Sequence, residues 1–227
     1  MNLLLLMQAV PQEAAEETTE VTIDYIEMAF SGGWIMIPLL LLSVISVYIF
    51  FERHFAIKRS SKVDDTFMNR IKDYIHDGKI DSALGLCQAQ DSPIARMIEK
   101  GITRIGRPLN DVNTAIENVG NLEISKMEKG LSLLATVSGG APMIGFLGTV
   151  IGMIRAFFDM ANAGNNIDVS LLSSGIYTAM VTTVTGLIIG IIAFFAYNYL
   201  VTRVDNVVHN MQSHALEFLD LLNEPAH

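Results

Sequence analysis

The sequence predicts an all-α membrane protein. It has three transmembrane helices, the N-terminus outside and the C-terminus cytoplasmic, with long second and third helices extending into the cytoplasm. Three observations predict this. Trp34–Phe51, Leu131–Ile154 and Val169–Thr202 contain no Asp, Glu, Lys, Arg or His, and about 20 apolar residues cross a bilayer. Residues 1–33 carry six acids and no Lys or Arg, whereas Arg53, Lys58, Arg59 and Lys62 follow the first run at once. By the positive-inside rule that places residue 53 in the cytoplasm. Charged residues make up 17% of the chain, against roughly 25% in a soluble domain.

Asn2–Val10 is a short apolar run that lacks the positive start of an export signal, so its fate stays open. Residues 1–31 read as a periplasmic segment, with an amphipathic helix over Thr22–Phe30 lying on the membrane surface. The first span is 32–51, with Trp34 at the outer interface and Arg53 at the inner one. Residues 52–130 form a cytoplasmic helical region without strand alternation. Its first helix carries Phe67, Ile71 and Tyr74 inward and stops near Gly78. Asp81 is expected to cap a second, with Leu84 and Cys87 inward. Asp91-Ser92-Pro93 starts a third, because proline fits a first-turn position whose N–H needs no partner. Asn110 or Asp111 is expected to cap a fourth that runs without a break into the second span.

The second span is 131–158, followed by a short periplasmic loop at 159–170 and the third span at 171–202. Over 203–227, Val204, Val208, Met211, Ala215, Phe218 and Leu222 recur in steps of four and three, a seam for packing against another helix. His209 and His214 near this end read as solvated rather than metal-binding. Cys87, the single cysteine, reads as a small buried apolar residue.

Two stripes of small residues organise the spans. In the second, Ala141, Gly145, Thr149, Gly152 and Ala156 recur at helical spacing beside Gly148, with Pro142 near one end. In the third, Gly175, Ala179, Thr183, Gly186, Gly190 and Ala193 recur, with Thr178, Thr182 and Thr185 on an adjoining face. Small residues let helices approach closely in lipid. The hydroxyls read equally as packing groups bonded to their own helix or as a polar wall for an ion path. Membrane proton relays are marked by titratable side chains, and the cores of these spans have none. If protons cross here, a partner must bring the acid. There is no phosphate-binding fingerprint, no metal-spaced cluster and no nucleophile–base pair. No enzyme activity, cofactor, metal or nucleic-acid partner is expected.

Ala141-Pro142, Gly145-Phe146-Leu147-Gly148-Thr149-Val150, Gly175-Ile176, Thr183, Gly186-Leu187 and Tyr197-Asn198 together resemble the ExbB/TolQ/MotA family of energy-transducing membrane proton-channel proteins, ExbB most. Gly32-Gly33-Trp34, Glu52-Arg53 and Ser92-Pro93-Ile94-Ala95-Arg96 extend the resemblance over about residues 25–222. It implies a homopentamer in the bacterial inner membrane, with a pore lined by the second and third spans. It implies a single-span partner similar to ExbD or TolR, whose membrane aspartate carries protons past Thr149 and Thr183. A TonB-like transducer then transmits the work. On this reading the small residues meet the neighbouring subunit and the hydroxyls face the pore. Many ExbB-like chains carry a glutamate near the start of the third span, where Thr178 stands here. H⁺ and Na⁺ both stay open as the coupling ion, and so do ExbB-like uptake and TolQ-like envelope maintenance.

Overall fold

The computed structural model describes residues 32–60, 66–162 and 169–223. The apolar start, the expected surface helix at Thr22–Phe30 and most of the outer loop lie outside the described residues. A short 3-10 turn, Gly33–Ile35, leads into α1, Met36–Ser60. Four shorter helices follow: α2 (Phe67–His76), α3 (Ile80–Ala89), α4 (Pro93–Ile102) and α5 (Leu109–Glu128). Two long ones complete the fold, α6 (Leu131–Asn162) and α7 (Val169–Asn223). No strand occurs among the described residues. Three stretches are long and apolar enough to cross a membrane, Gly33–Ser60, Leu109–Asn162 and Leu172–Asn223.

The boundaries follow from local chemistry. Ser92 caps α4 by accepting a 3.1 Å hydrogen bond from the Ala95 N–H, and Pro93 takes the first position. Gly78 at φ +71° and Gly106 at φ +88° occupy the left-handed region that favours glycine, just beyond α2 and α4. Two expected caps are not used. Lys79 precedes α3, leaving Asp81 in its first turn, and Pro108 precedes α5, leaving Asp111 in its first turn. There acidic groups act on the helix dipole rather than as caps. The expected unbroken passage from α5 into α6 is also corrected. Lys129 is extended and Gly130 has φ +85°, so the chain makes one left-handed step before restarting at Leu131.

α6 and α7 pack antiparallel, and their approach is close enough to exclude side chains. A Cβ on Gly145 would sit 2.8 Å from the Thr182 carbonyl oxygen, and one on Gly186 2.6 Å from that of Ala141. Gly152 meets Ala179, Gly175 meets Ala156, and the Pro142 ring fills the space that Gly190 leaves. Pro142 therefore sits within an uninterrupted helix, its bulk accommodated by the neighbour. The expectation that the small stripes serve a neighbouring subunit is overturned: they join two helices of one chain. α1 lies against this pair, with Ile35, Leu39, Val137, Ala141 and Ala193 buried together.

The half of the molecule beyond the apolar spans is built on the C-terminal part of α7. Val204, Met211 and Phe218 are buried and Val208, Ala215 and Leu222 half-buried, so the expected seam packs on the chain's own helices. Phe218 presses its ring on Gly101 of α4, beside Ile116 of α5. Cys87 is buried in this core; burial, aided by the charge of Glu99, pushes its thiol up to about 12.

One carboxylate is buried here. Glu123 occupies a core position of α5, in step with Val112, Ile116, Gly120 and Met127. It accepts hydrogen bonds from Arg96 Nη2 and Lys126 Nζ, both at 2.7 Å. Arg96 Nη1 also donates to Asp91, which accepts from Arg59 at the end of α1. Burial pushes the Glu123 carboxyl up, but the hydrogen bonds and charges of Arg96 and Lys126 outweigh it and hold it below its ordinary 4.5. The stability it contributes is thus fully present above pH 4.5 and is lost as pH falls through the folded value.

Two outcomes are expected. Gly186→Val should destabilise the purified protein by roughly 1–3 kcal/mol or more, read as a lowered unfolding midpoint in detergent, because the Ala141 carbonyl cannot yield. Glu123→Gln should cost about 1–3 kcal/mol at neutral pH and flatten the loss of stability on acidification, read by thermal unfolding between neutral pH and pH 3.

Candidate functional site

Helix register fixes the depth of each candidate residue. Gly32 meets Thr182 and Phe50 meets Tyr199, so α1 and α7 run parallel with an offset of about 149 positions. Arg53 donates from Nη1 to the Lys126 carbonyl at 3.1 Å, which puts α1 beside the α5–α6 junction at this level. Arg53, Lys129 and Arg203 are then the charges flanking the apolar stretches on one side, and Arg155 and Asp159 on the other. From Arg203 to Thr183 is 20 residues, about 30 Å at 1.5 Å per residue. From Thr149 to Arg155 is about 9 Å. Together these match the roughly 40–45 Å of a bilayer with its headgroups, and Thr149 and Thr183 fall inside it, in the half nearer Arg155. Trp34 stands level with Thr183, about 14 residues inward of the start of α7. Asn198 donates to the Phe194 carbonyl at 2.8 Å, and half-buried Tyr197 packs against the larger core, beyond the apolar spans.

The structure separates the threonines into two groups. Thr182 is 1% exposed, lies inside the α6–α7 seam against Gly148, and spends its proton on the Ala179 carbonyl at 2.7 Å. It also touches the start of α1 at Gly32. Thr178, half-buried, and Thr185, bonded to the Val181 carbonyl at 2.9 Å, share that side of α7. Thr183 lies 100° further round the helix, on the opposite flank of the seam. There its hydroxyl meets that of Thr149, and it donates to the Gly145 carbonyl at 3.1 Å. Of the four pathway candidates, only Thr149 and Thr183 bring their hydroxyls into contact, while Thr182 Oγ1 reaches the same Gly145 carbonyl from within the seam at 3.4 Å. The stripe periodicity assigned Thr183 to the packing face and Thr182 to the adjoining one; the structure exchanges them.

The hydrogen-bond arithmetic of the pair is restrictive. Each hydroxyl has one proton and two lone pairs. Either hydroxyl can donate to the other, and the Gly145 carbonyl lies within reach of both. With Thr183 donating to Gly145 and Thr149 to Thr183, the free lone pairs face away from the seam. Phe146, Val150, Met180 and Leu187, each within about one turn of the pair along its helix, are exposed. Such a site can accept a hydrogen bond from a carboxylic acid or ligate a small cation. No carboxylate, imidazole or amine lies within these spans at this depth. Among the described residues no cluster of His, Cys, Asp or Glu could hold a metal.

Residues 89–213 match the MotA/TolQ/ExbB proton channel family. The chain belongs to that family. Among its relatives, a putative biopolymer transport protein ExbB homolog of Methanothermobacter thermautotrophicus is 30% identical over 191 residues, 82% of this chain and 66% of the relative. A putative ExbB-like protein of Synechocystis is 28% identical over 173 residues, 75% of this chain and 68% of the relative. The Tol-Pal system protein TolQ of Pseudomonas aeruginosa is 28% identical over 204 residues, 85% of this chain and 88% of the relative. The chain thus spans about two thirds of the first two relatives. ExbB-named and TolQ-named proteins match it at similar identity, so identity does not divide the two. The family segment covers the candidate site, Arg96, which sequence reading places only in the Ser92–Arg96 motif, and Glu123, which pattern reading passed over. The available signal was a lone Glu at a core step of an apolar stripe.

The hydroxyl contact predicts a cross-link. In a Thr149→Cys/Thr183→Cys variant, mild oxidation should give a disulfide within one chain, identified by peptide mass spectrometry, with Cys87 left unmodified. A link between chains would contradict the arrangement of α6 and α7.

Proposed function

We propose that this chain is the pore-forming subunit of a proton-driven motor complex of the inner membrane. On this reading it resembles ExbB and harvests the proton motive force to energise TonB-dependent outer-membrane transport. The carrying observation is the Thr149–Thr183 pair. It is a pair of hydroxyls in contact with each other and with the Gly145 carbonyl at membrane depth, on helices that hold no titratable group there. A proton crossing this zone needs a carrier, and the chemistry suits a neutral carboxylic acid brought by a single-span partner of the ExbD or TolR kind. The protonated acid donates a hydrogen bond to a threonine oxygen; ionisation removes that bond and weakens the docking. That difference couples proton occupancy to the partner's position.

The subunits form a homo-oligomer, with a pentamer as the expected number, and the exposed flanks of α6 and α7 line its pore. The N-terminus is outside, since Arg53, Lys58, Arg59 and Lys129 gather at the opposite end of the spans. The protein is not an enzyme and needs no cofactor. A TolQ-like role in envelope integrity is the second reading, favoured by the extent of the TolQ match, 88% of that relative. A passive scaffold, in which the threonines only pack, is the third.

Native mass spectrometry of the gently solubilised complex tests the reading. A ring of this chain holding fewer copies of a small single-span protein with a membrane Asp supports it; an assembly of this chain alone removes the titrating group and sinks proton coupling. In such a complex, Thr149→Val/Thr183→Val should preserve assembly. Proton flux should fall by about ten- to a hundredfold, the rate equivalent of one hydrogen bond of roughly 1.5–3 kcal/mol. Undiminished flux would favour the scaffold.

A further inference from the structure

The inner ends of α1 and α7 enclose a cavity of about 330 Å³, lined by His54, Lys58, Arg203 and Asn206. Beside it, sharing His54, lies a groove of about 530 Å³ with an almost wholly apolar wall, including Val47, Phe50 and Phe195. Tyr199 joins the two. Its ring stacks on His54 at 5.9 Å and lies under the Arg203 guanidinium at 5.3 Å. Arg203 Nε also donates to its hydroxyl at 3.2 Å. An imidazole and a guanidinium are thus held on one rigid aromatic wall. No carboxylate lines either space. Among the described residues, Lys58 and Arg203 enter no ion pair.

Depth adds a second constraint. Arg203 is the first charge on α7 below the apolar run, and Arg53 stands beside His54 at the same level on α1. The basic cavity therefore lies at the headgroup level and the apolar groove runs from it into the hydrocarbon. A free anion would use the cavity and leave the groove unfilled. A helix of another chain would fill the groove but would have to bring an acid to the cavity. An anionic phospholipid fits both: cationic clusters at this level attract such headgroups, and guanidinium geometry suits phosphate.

We propose that this cleft binds one anionic phospholipid, its phosphodiester held by Lys58 and Arg203 and an acyl chain laid along the Phe50–Phe195 groove. The bound lipid then joins α1 to α7 beside Arg53, which ties α1 to the α5–α6 junction, and it makes the seating of α1 dependent on membrane composition. The site is independent of the threonine pair and of any proton coupling.

The test is native mass spectrometry of the purified full-length complex after addition of phosphatidylglycerol, phosphatidylcholine or inorganic phosphate. Phosphatidylglycerol should be retained selectively. Lys58→Gln/Arg203→Gln should lower that retention by about ten- to thirtyfold, whereas Arg107→Gln, a charge loss outside the cleft, should leave it unchanged. Val47→Trp, on an exposed position that fills the groove without touching the core, should lower it too. Equal retention of the two lipids, or a Lys58/Arg203 double variant that retains phosphatidylglycerol like the parent, overturns the proposal. Loss through the charge variants with no effect of Val47→Trp, and competition by inorganic phosphate, would assign the cavity to a free anion. Dissociation of the assembly by Val47→Trp would assign the groove to a second copy of the chain.

Discussion

The structure depends on how closely the backbones of α6 and α7 approach. In lipid no hydrophobic force draws helices together, so contact comes from packing. Gly145, Gly148, Gly152, Gly175, Gly186 and Gly190 provide it by leaving no side chain between the two backbones. This contact sets the register of the antiparallel pair. The register in turn puts the Gly145 carbonyl beside Thr183, and Thr183 beside Thr149. The polar site is a by-product of close packing at one depth, and neither helix alone could form it.

The same contact explains why the hydroxyls divide. A threonine in the seam must satisfy its proton on a backbone carbonyl or pay for an unbonded polar group in an apolar setting. Thr182 does so on Ala179. A threonine at the edge of the seam can keep lone pairs facing outward, and Thr149 and Thr183 are at that edge. Their hydroxyls meet each other and the Gly145 carbonyl. The family to which the chain belongs is described as one of proton channels, and a hydroxyl site without its own acid suits a channel completed by another chain.

Below the apolar zone the rules change. The helices beyond the apolar zone have an ordinary buried core, in which the Phe218 ring leaves no room for a side chain on Gly101. The one carboxylate in that core is tied to two cations and, through Arg96 and Asp91, to the end of α1. Glu123 thus connects the packing of α5 to that of α4 and α1 near the end of the spans. There the charge network lies beside buried apolar contacts of Ile57, Leu131 and Leu200.

What the sequence determined by itself is what depends on composition along one dimension. Uncharged runs about as long as a bilayer is thick, or longer, fixed three apolar helices, the cations after Phe51 marked one end of them, and Ser92-Pro93 marked a helix start. The absence of an acid in the spans was equally visible, because it needs no geometry. Tertiary structure decided what depends on angles between elements. Periodicity gave both helices a small stripe but could not say what covered it, and the cover is the other helix of the same chain. A 100° difference around α7 decided that Thr183 rather than Thr182 meets Thr149. Glu123 looked like one more helical acid until folding put Arg96, 27 residues away, against it. The step at Lys129-Gly130 likewise needed the left-handed φ of one glycine, which no propensity of its neighbours requires. The cleft between α1 and α7 unites residues about 150 positions apart, a distance that only packing can close.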